Sequence, residues 1–192
     1  MILASNNAHK LEEFRAIFAD MGIEIIPQSV AGCHFEVDET GETFEENAYL
    51  KAIAVTRATG QPAVADDSGL MVDALGGAPG VHSARYATDG HDFAANNRLL
   101  LRNLAGASTR RARFRTVIAL ILDGRESLFQ GAVEGRIAET EAGCGGFGYD
   151  PLFVPEGCDR TFAEMTDEQK NALSHRGRAV RKLAEYLHNR TK

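Results

Sequence analysis

Residues 62–70 read PAVADDSGL, so two adjacent carboxylates, Asp66 and Asp67, stand at the end of a short apolar run. Mutual repulsion and partial burial both disfavour charging such a pair. A bound cation would offset that, which makes metal-ligand chemistry the first expectation here. A turn or cap is the plain alternative. A second acidic group, Glu36, Asp38 and Glu39, lies in the polar segment 28–42. Near the start, LASNNAHKLEEF puts Ser5, Asn6, Asn7 and Lys10 between a strand-like run and an amphipathic one. The free N–H groups and partial positive charge of a helix N-terminus suit phosphate, and Lys10 reaches the same anion from the opening turn. The plain reading of the same stretch is a helix cap at Ser5 or Asn7 with a solvated Lys10. No GxxxxGK[ST] pattern occurs, so a Walker-type loop is unsupported.

These residues need elements to hold them. MILAS reads as a short buried strand, and Leu11, Phe14, Ile17, Phe18 and Met21 predict an amphipathic helix over 8–21. IEIIPQ predicts a second strand ended by Pro27, and TFEENAYLKAIAVTRATG a helix started by Thr43 and stopped by Gly60. PAVAD predicts a strand, Ser68-Gly69 a turn, and the following residues a second extended piece ending at Gly76-Gly77. A helix is expected over 91–105, then two alternating strands joined at Asp123-Gly124, a hairpin signal. A last helix starts near Ser174 with Val180, Leu183, Ala184 and Leu187 on one face. Strands that alternate with helices, then a long hairpin, imply an α/β fold on a mixed sheet.

Composition sets outer bounds. The 192 residues suffice for one domain or two tightly joined lobes. Hydrophobic content of 44% and charged content of 25% are those of a globular protein with a real core. Cys33, Cys144 and Cys158 are odd in number and form no CxxC, which argues against a disulfide framework or structural zinc and fits a reducing cytoplasm. No apolar stretch reaches the ~18 residues of a membrane span, and MILASNN lacks the basic region of a signal peptide. A net charge of -6 argues against nucleic-acid or membrane-surface partners, though not against a small polyanion held by local cations.

GCGGFG, residues 143–148, formally matches the dinucleotide fingerprint G-x-G-x-x-G. That fingerprint must open a helix after a strand, whereas here YDPLFVP follows, an extended run bracketed by prolines. The glycines are better read as a tightly turned backbone wall that presents Phe147 to a planar ring. A glycine-rich turn with a buried Phe is the plain alternative.

Taken in order, SNNAHK, ETGETFEENAYLKA, ADDSGLMVDALGGAPGVHSARY, GGFGYDPLF and EQKNALSHRG resemble the motifs of the inosine triphosphate pyrophosphatase family, the dITP/XTP pyrophosphatases, over essentially the whole chain. The first motif departs modestly: Ser5-Asn6-Asn7 stands where the family has Thr-Gly-Asn. Serine keeps the hydroxyl, and asparagine is the non-glycine residue that best tolerates a left-handed backbone.

The resemblance implies a long, bent mixed β-sheet flanked by helices, one domain over 1–192 made of two lobes, with the active site in the cleft between them. It implies Mg²⁺-dependent hydrolysis of XTP, ITP and dITP to the nucleoside monophosphate and pyrophosphate, by a cytoplasmic homodimer. Ser5, Asn6, Asn7, Ala8, His9 and Lys10 become the triphosphate turn. Glu39 and Asp67 become metal ligands, with Asp38 and Asp66 as alternatives beside them, and Asp67 the general base. Lys51 faces the phosphates, with Asn47 one turn before it, and Ser68 contacts substrate. Phe147, Gly148, Tyr149, Asp150, Lys170, His175 and Arg176 become the nucleobase end. A cationic donor there suits the 6-keto oxygen of inosine and xanthosine and rejects the 6-amino group of adenine. Two competing readings are weaker. A Maf-type nucleotide pyrophosphatase tends to have an Arg-containing, Ser-rich first motif, and a silent nucleotide-binding protein would lack part of the acid set.

Overall fold

The computed structural model describes residues 1–19 and 22–190. In chain order the elements are β1 (Ile2–Leu3), α1 (Ala8–Phe18), β2 (Ile26–Pro27), α2 (Phe44–Thr59), β3 (Ala63–Val72), α3 (Phe93–Asn103), β4 (Arg111–Leu122), β5 (Arg125–Ile137), β6 (Phe153–Pro155), α4 (Asp167–Leu173) and α5 (His175–Arg190). Short 3-10 segments cover Asp73–Leu75, Gly80–Arg85 and Phe162–Glu164. The strands form one six-stranded sheet in the order β2-β1-β3-β4-β5-β6. β1 runs parallel to β2 and β3, with Ile2 opposite Ile26 and Ala63, and β5 runs antiparallel to β6, with Arg136 opposite Val154. The expected mixed sheet with flanking helices is therefore borne out.

Local chemistry explains most boundaries. Asn7 caps α1 by accepting the Lys10 N–H. Thr43 and Glu46 close a reciprocal capping box on α2, which ends at Gly60 in the left-handed conformation. Replacing Thr43 by alanine is expected to cost about 0.5–2 kcal/mol of stability, read as a lower denaturant midpoint at unchanged slope. Asp123 and Gly124 both have positive φ, 53° and 71°, as a two-residue hairpin turn between right-twisted strands requires.

Four expectations need correction. IEIIPQ contributes only Ile26–Pro27 to the sheet, at its edge, where the missing N–H of Pro27 is tolerated. Ser68-Gly69 makes no turn: β3 runs unbroken through both, as a strand of the sheet beside β4, and the sheet overrides the local turn signal. α4 was not anticipated as an element of its own, although Thr166 and Gln169 form a capping box at its start. The Ser5-Asn6-Asn7 turn needs no left-handed residue, for Asn7 is extended (φ -71°, ψ 112°), and Asp123 alone among the described non-glycine residues has positive φ. Met21, expected on the inner face of the first helix, lies outside the described residues.

The chain forms two compact units. The first comprises the described residues of Met1–Asp67, Thr116–Gly131 and Arg176–Lys192. Its core joins Leu3 and Val64 of the sheet to Phe14 and Phe18 of α1, Ile118 and Leu120 of β4, and Val180, Leu183 and Ala184 of α5. The second comprises Ser68–Arg115 and Ala132–His175. Its core gathers Leu70, Val72, Leu100, Phe114, Phe153 and Phe162, with the Phe114 and Phe153 rings 4.7 Å apart. Among the described residues no helix is long and apolar enough to cross a membrane, and all three cysteines are free thiols.

Candidate active site

Because β3 is continuous, Asp66 and Asp67 point to opposite faces of the strand. Each meets its own cations within the first unit. Asp66 is buried, with its Oδ1 3.0 Å from Lys10 Nζ, and its Oδ2 accepts from Arg176 Nε at 3.1 Å. Arg176 is buried too, and its other face pairs with Glu13. Burial alone would raise the Asp66 pKa, but Lys10 and then Arg176 outweigh it and hold the carboxyl well below the carboxylate range. Lys10 is shifted down, first by its own burial and then, against the pull of Asp66, by the neighbouring positive charges of Lys51 and Arg176. Arg176 stays firmly charged, since Glu13 and Asp66 overcome its desolvation. Asp66 and Glu13 thus face Lys10 and Arg176.

The Asp67 side is open. Lys51 Nζ lies 2.9 Å from Glu39 Oε1 and 3.2 Å from Asp67 Oδ1, so one ammonium serves two carboxylates. Asp67 Oδ2 is buried and has no hydrogen-bond partner among the described residues. Burial raises the Asp67 pKa, and Lys51 only partly opposes it. Lys51 itself would be lowered by burial, but Asp67 and then Glu39 raise it. Asp38 is exposed, whereas Glu39 is half-buried beside Lys51. Asn47 is buried and its Oδ1 accepts the Gly41 N–H at 2.8 Å, which ties the acidic loop to α2. It thus holds the loop beside Glu39, a task that sequence spacing alone did not suggest.

The triphosphate-turn candidates share this unit. The Asn7 N–H donates to Ser5 Oγ at 3.1 Å, and Asn6, Ala8 and His9 are exposed at the start of α1. The turn is folded by its own side chains, and it presents the opening of a helix of eleven residues.

The second unit gathers most of the remaining candidates. Asp150 Oδ2 accepts from the Phe147 N–H and from Lys170 Nζ, both at 2.8 Å, and Lys170 Nζ stands 4.9 Å from the Phe147 ring centroid. Gly146 has φ +68°, and a Cβ there would run into the Asp150 carboxylate, so this turn tolerates only glycine. The Tyr149 hydroxyl donates to the Ser83 carbonyl at 2.8 Å, and burial pushes its pKa up. His175 is buried and stacked on Phe114, with ring centroids 4.6 Å apart and 9° between planes. Ser68 is half-buried on β3. No helix opens after the glycines, and the chain passes to β6. Arg176 belongs to the first unit, where its guanidinium pairs with Asp66 and Glu13.

A profile of the Ham1 family matches residues 1–186. The chain belongs to the Ham1 family. A Porphyromonas gingivalis protein named dITP/XTP pyrophosphatase is 49% identical over 97% of this chain and 96% of its own length. A Streptomyces coelicolor protein of the same name is 51% identical over 95% and 94%. A solved structure of a HAM1 protein from Coxiella burnetii covers 98% of each chain with a TM-score of 0.90 at 42% identity. The family resemblance read from the motifs is thereby borne out.

For this Ham1-family chain, the sequence reading missed Glu13. It lies one turn after Lys10 on α1, a spacing that places both on one helix face and was available as a signal. It also missed Asn96 and Asn97 of α3, for which adjacency to the family motifs gives no hint. Among the described residues no group of three or more His, Cys, Asp and Glu side chains forms a metal cage. Magnesium does not require one, since it binds through one or two carboxylates plus substrate phosphates and water. The oxygen-only pair Glu39 and Asp67, with a buried unpartnered oxygen and one ammonium against two carboxylates, fits such an ion.

Proposed function

We propose that this protein hydrolyses deaminated purine nucleoside triphosphates (XTP, ITP and dITP) to the nucleoside monophosphate and pyrophosphate. The observation that carries this reading is Asp67: a buried carboxylate with a raised pKa and one unpartnered oxygen, beside Glu39 and Lys51. The names of the Porphyromonas and Streptomyces relatives support the same substrate class.

In this reading Glu39 and Asp67 hold Mg²⁺, which supplies charge neutralisation at the phosphate oxygens when bound. Asp67 takes a proton from the attacking water at its carboxylate, as a positioned general base does. Lys51 holds Glu39 and Asp67 in place and adds positive charge on the phosphate side. The turn from Ser5 to Lys10 offers the α1 N-terminus to the triphosphate, including the N–H groups of Ala8 and His9. Phosphoryl transfer depends mainly on positioning and electrostatics, which is what this set of charges provides. Lys170 offers a donor to the 6-keto group of the base, Phe147 a ring to stack on it, and His175 and Ser68 complete the substrate contacts. Arg176 acts from behind, by keeping Asp66 charged and in place. We read the chain as one catalytic domain of two lobes over 1–192 and, from the family resemblance, as a cytoplasmic homodimer without nucleic-acid or membrane partners.

Purified protein supplied with ITP, XTP, GTP and ATP tests this reading. Turnover of ITP and XTP is expected with Mg²⁺, with little from GTP or ATP, and its loss in EDTA is expected to reverse when Mg²⁺ is restored. Equal turnover of ATP, or full activity in EDTA, contradicts the reading.

A further inference from the structure

Helix α3 grips the glycine-rich loop at two residues one turn apart. The Phe93 ring centroid lies 6.1 Å from that of Phe147. One turn on, Asn97 Nδ2 donates to the Gly148 carbonyl at 3.2 Å. Tyr149 is held through the Ser83 carbonyl, and Asn96 fixes that turn: its Nδ2 donates to Ala84 at 3.0 Å and Ser83 at 3.4 Å, and its Oδ1 accepts from the Ala87 N–H at 2.8 Å. Asn96 uses its whole amide on the scaffold, whereas Asn97 does not. Asn97 is only 4% exposed, and its Oδ1 has no hydrogen-bond partner among the described residues. Turning the amide over would set that oxygen against the Gly148 carbonyl, so the donor has to face the loop.

An unsatisfied buried acceptor destabilises a fold, and leucine, of similar size, would remove it. Asparagine at this position therefore works against stability, and what it does contribute is the bond to Gly148. We propose that Asn97 is a positioning residue for nucleobase recognition: it sets the pose of the Phe147–Asp150 loop against the purine, with Phe93 and Asn96 as the neighbouring supports. This rests on the reading of that loop as the base-binding wall.

The test compares Asn97→Leu, and Asn97→Ala in case leucine packs poorly, with the wild type. Calorimetry measures affinity for inosine monophosphate, which carries the base, and for inorganic tripolyphosphate, which does not. Both variants are expected to bind the monophosphate about tenfold more weakly, because the loop loses the bond that fixes its pose and must be ordered on binding. Tripolyphosphate affinity is expected to stay within about twofold. The leucine variant is expected to melt at or above the wild-type temperature, with KM for ITP raised and kcat close to wild type. Unchanged monophosphate affinity in both variants overturns the proposal. So does parallel weakening of both ligands with a lowered melting temperature, which marks a merely structural residue. Wild-type protein that binds the monophosphate but does not hydrolyse ITP overturns the proposed function instead, and the affinity comparison still decides the role of Asn97.

Discussion

Asp67→Asn is expected to lower kcat for ITP by about 10²–10⁴-fold, the range for loss of a positioned general base. The change keeps the shape of the side chain and removes its capacity to take a proton. It also removes one charge from the pair that holds the metal, so a higher Mg²⁺ requirement accompanies the fall in kcat. Binding of the nucleotide should persist, because Lys10, Lys51 and the α1 N-terminus remain. The fold should persist as well. Burial disfavours the charged form of Asp67, and Lys51 keeps Glu39 as a partner at 2.9 Å. Steady-state kinetics at saturating Mg²⁺, with a melting curve beside them, check this. A fall of less than tenfold in kcat would place the base elsewhere.

Asp66→Asn is expected to do the opposite: to damage the fold before the chemistry. Its carboxylate is buried and is the shared anion of Lys10 and the buried Arg176. Neutralising it removes an anion that both cations share and leaves an excess of positive charge at Lys10 and Arg176. Removing one partner of a buried pair costs about 3–5 kcal/mol. That is a large share of the roughly 5–15 kcal/mol that holds a domain together. Denaturant unfolding should show a lower midpoint at unchanged slope. The pH dependence has a definite sign. The folded-state pKa of Asp66 lies below its ordinary value of about 3.9, so its contribution is complete above that value and drains away as the pH falls below it. The Asn variant should lack that acid-sensitive part. A variant as stable as wild type would mean that Lys10 and Arg176 do not depend on Asp66.

The two adjacent aspartates show how much the sequence makes legible and where it stops. Their identity as a charged pair beside a strand was plain, and so was the set of cations available to compensate them. A difference of role between them was legible too, but which cations each meets was not, because Ser68-Gly69 reads locally as a turn while the sheet keeps β3 extended. Only the unbroken strand sends Asp66 to Lys10 and Arg176 and Asp67 to Lys51. His175 and Arg176 teach the same lesson. Adjacent in the sequence, they read as one unit, yet successive helix residues point about 100° apart. His175 stacks on Phe114, while Arg176 turns to Asp66 and Glu13. The helix caps at Thr43 and Gly60 and the hairpin at Asp123-Gly124 were legible because each depends on a few neighbouring residues. The supports from α3 were not, because Asn97 reaches Gly148 across 51 positions of chain.

The most direct measurement follows wild-type protein, ITP and Mg²⁺ by phosphorus NMR and identifies the products. Inosine monophosphate and pyrophosphate, formed in equal amounts, are the expected pair, because the proposed hydrolysis breaks the bond between the α and β phosphates. Inosine diphosphate and orthophosphate would contradict it, since the bond broken would then be the one between the β and γ phosphates.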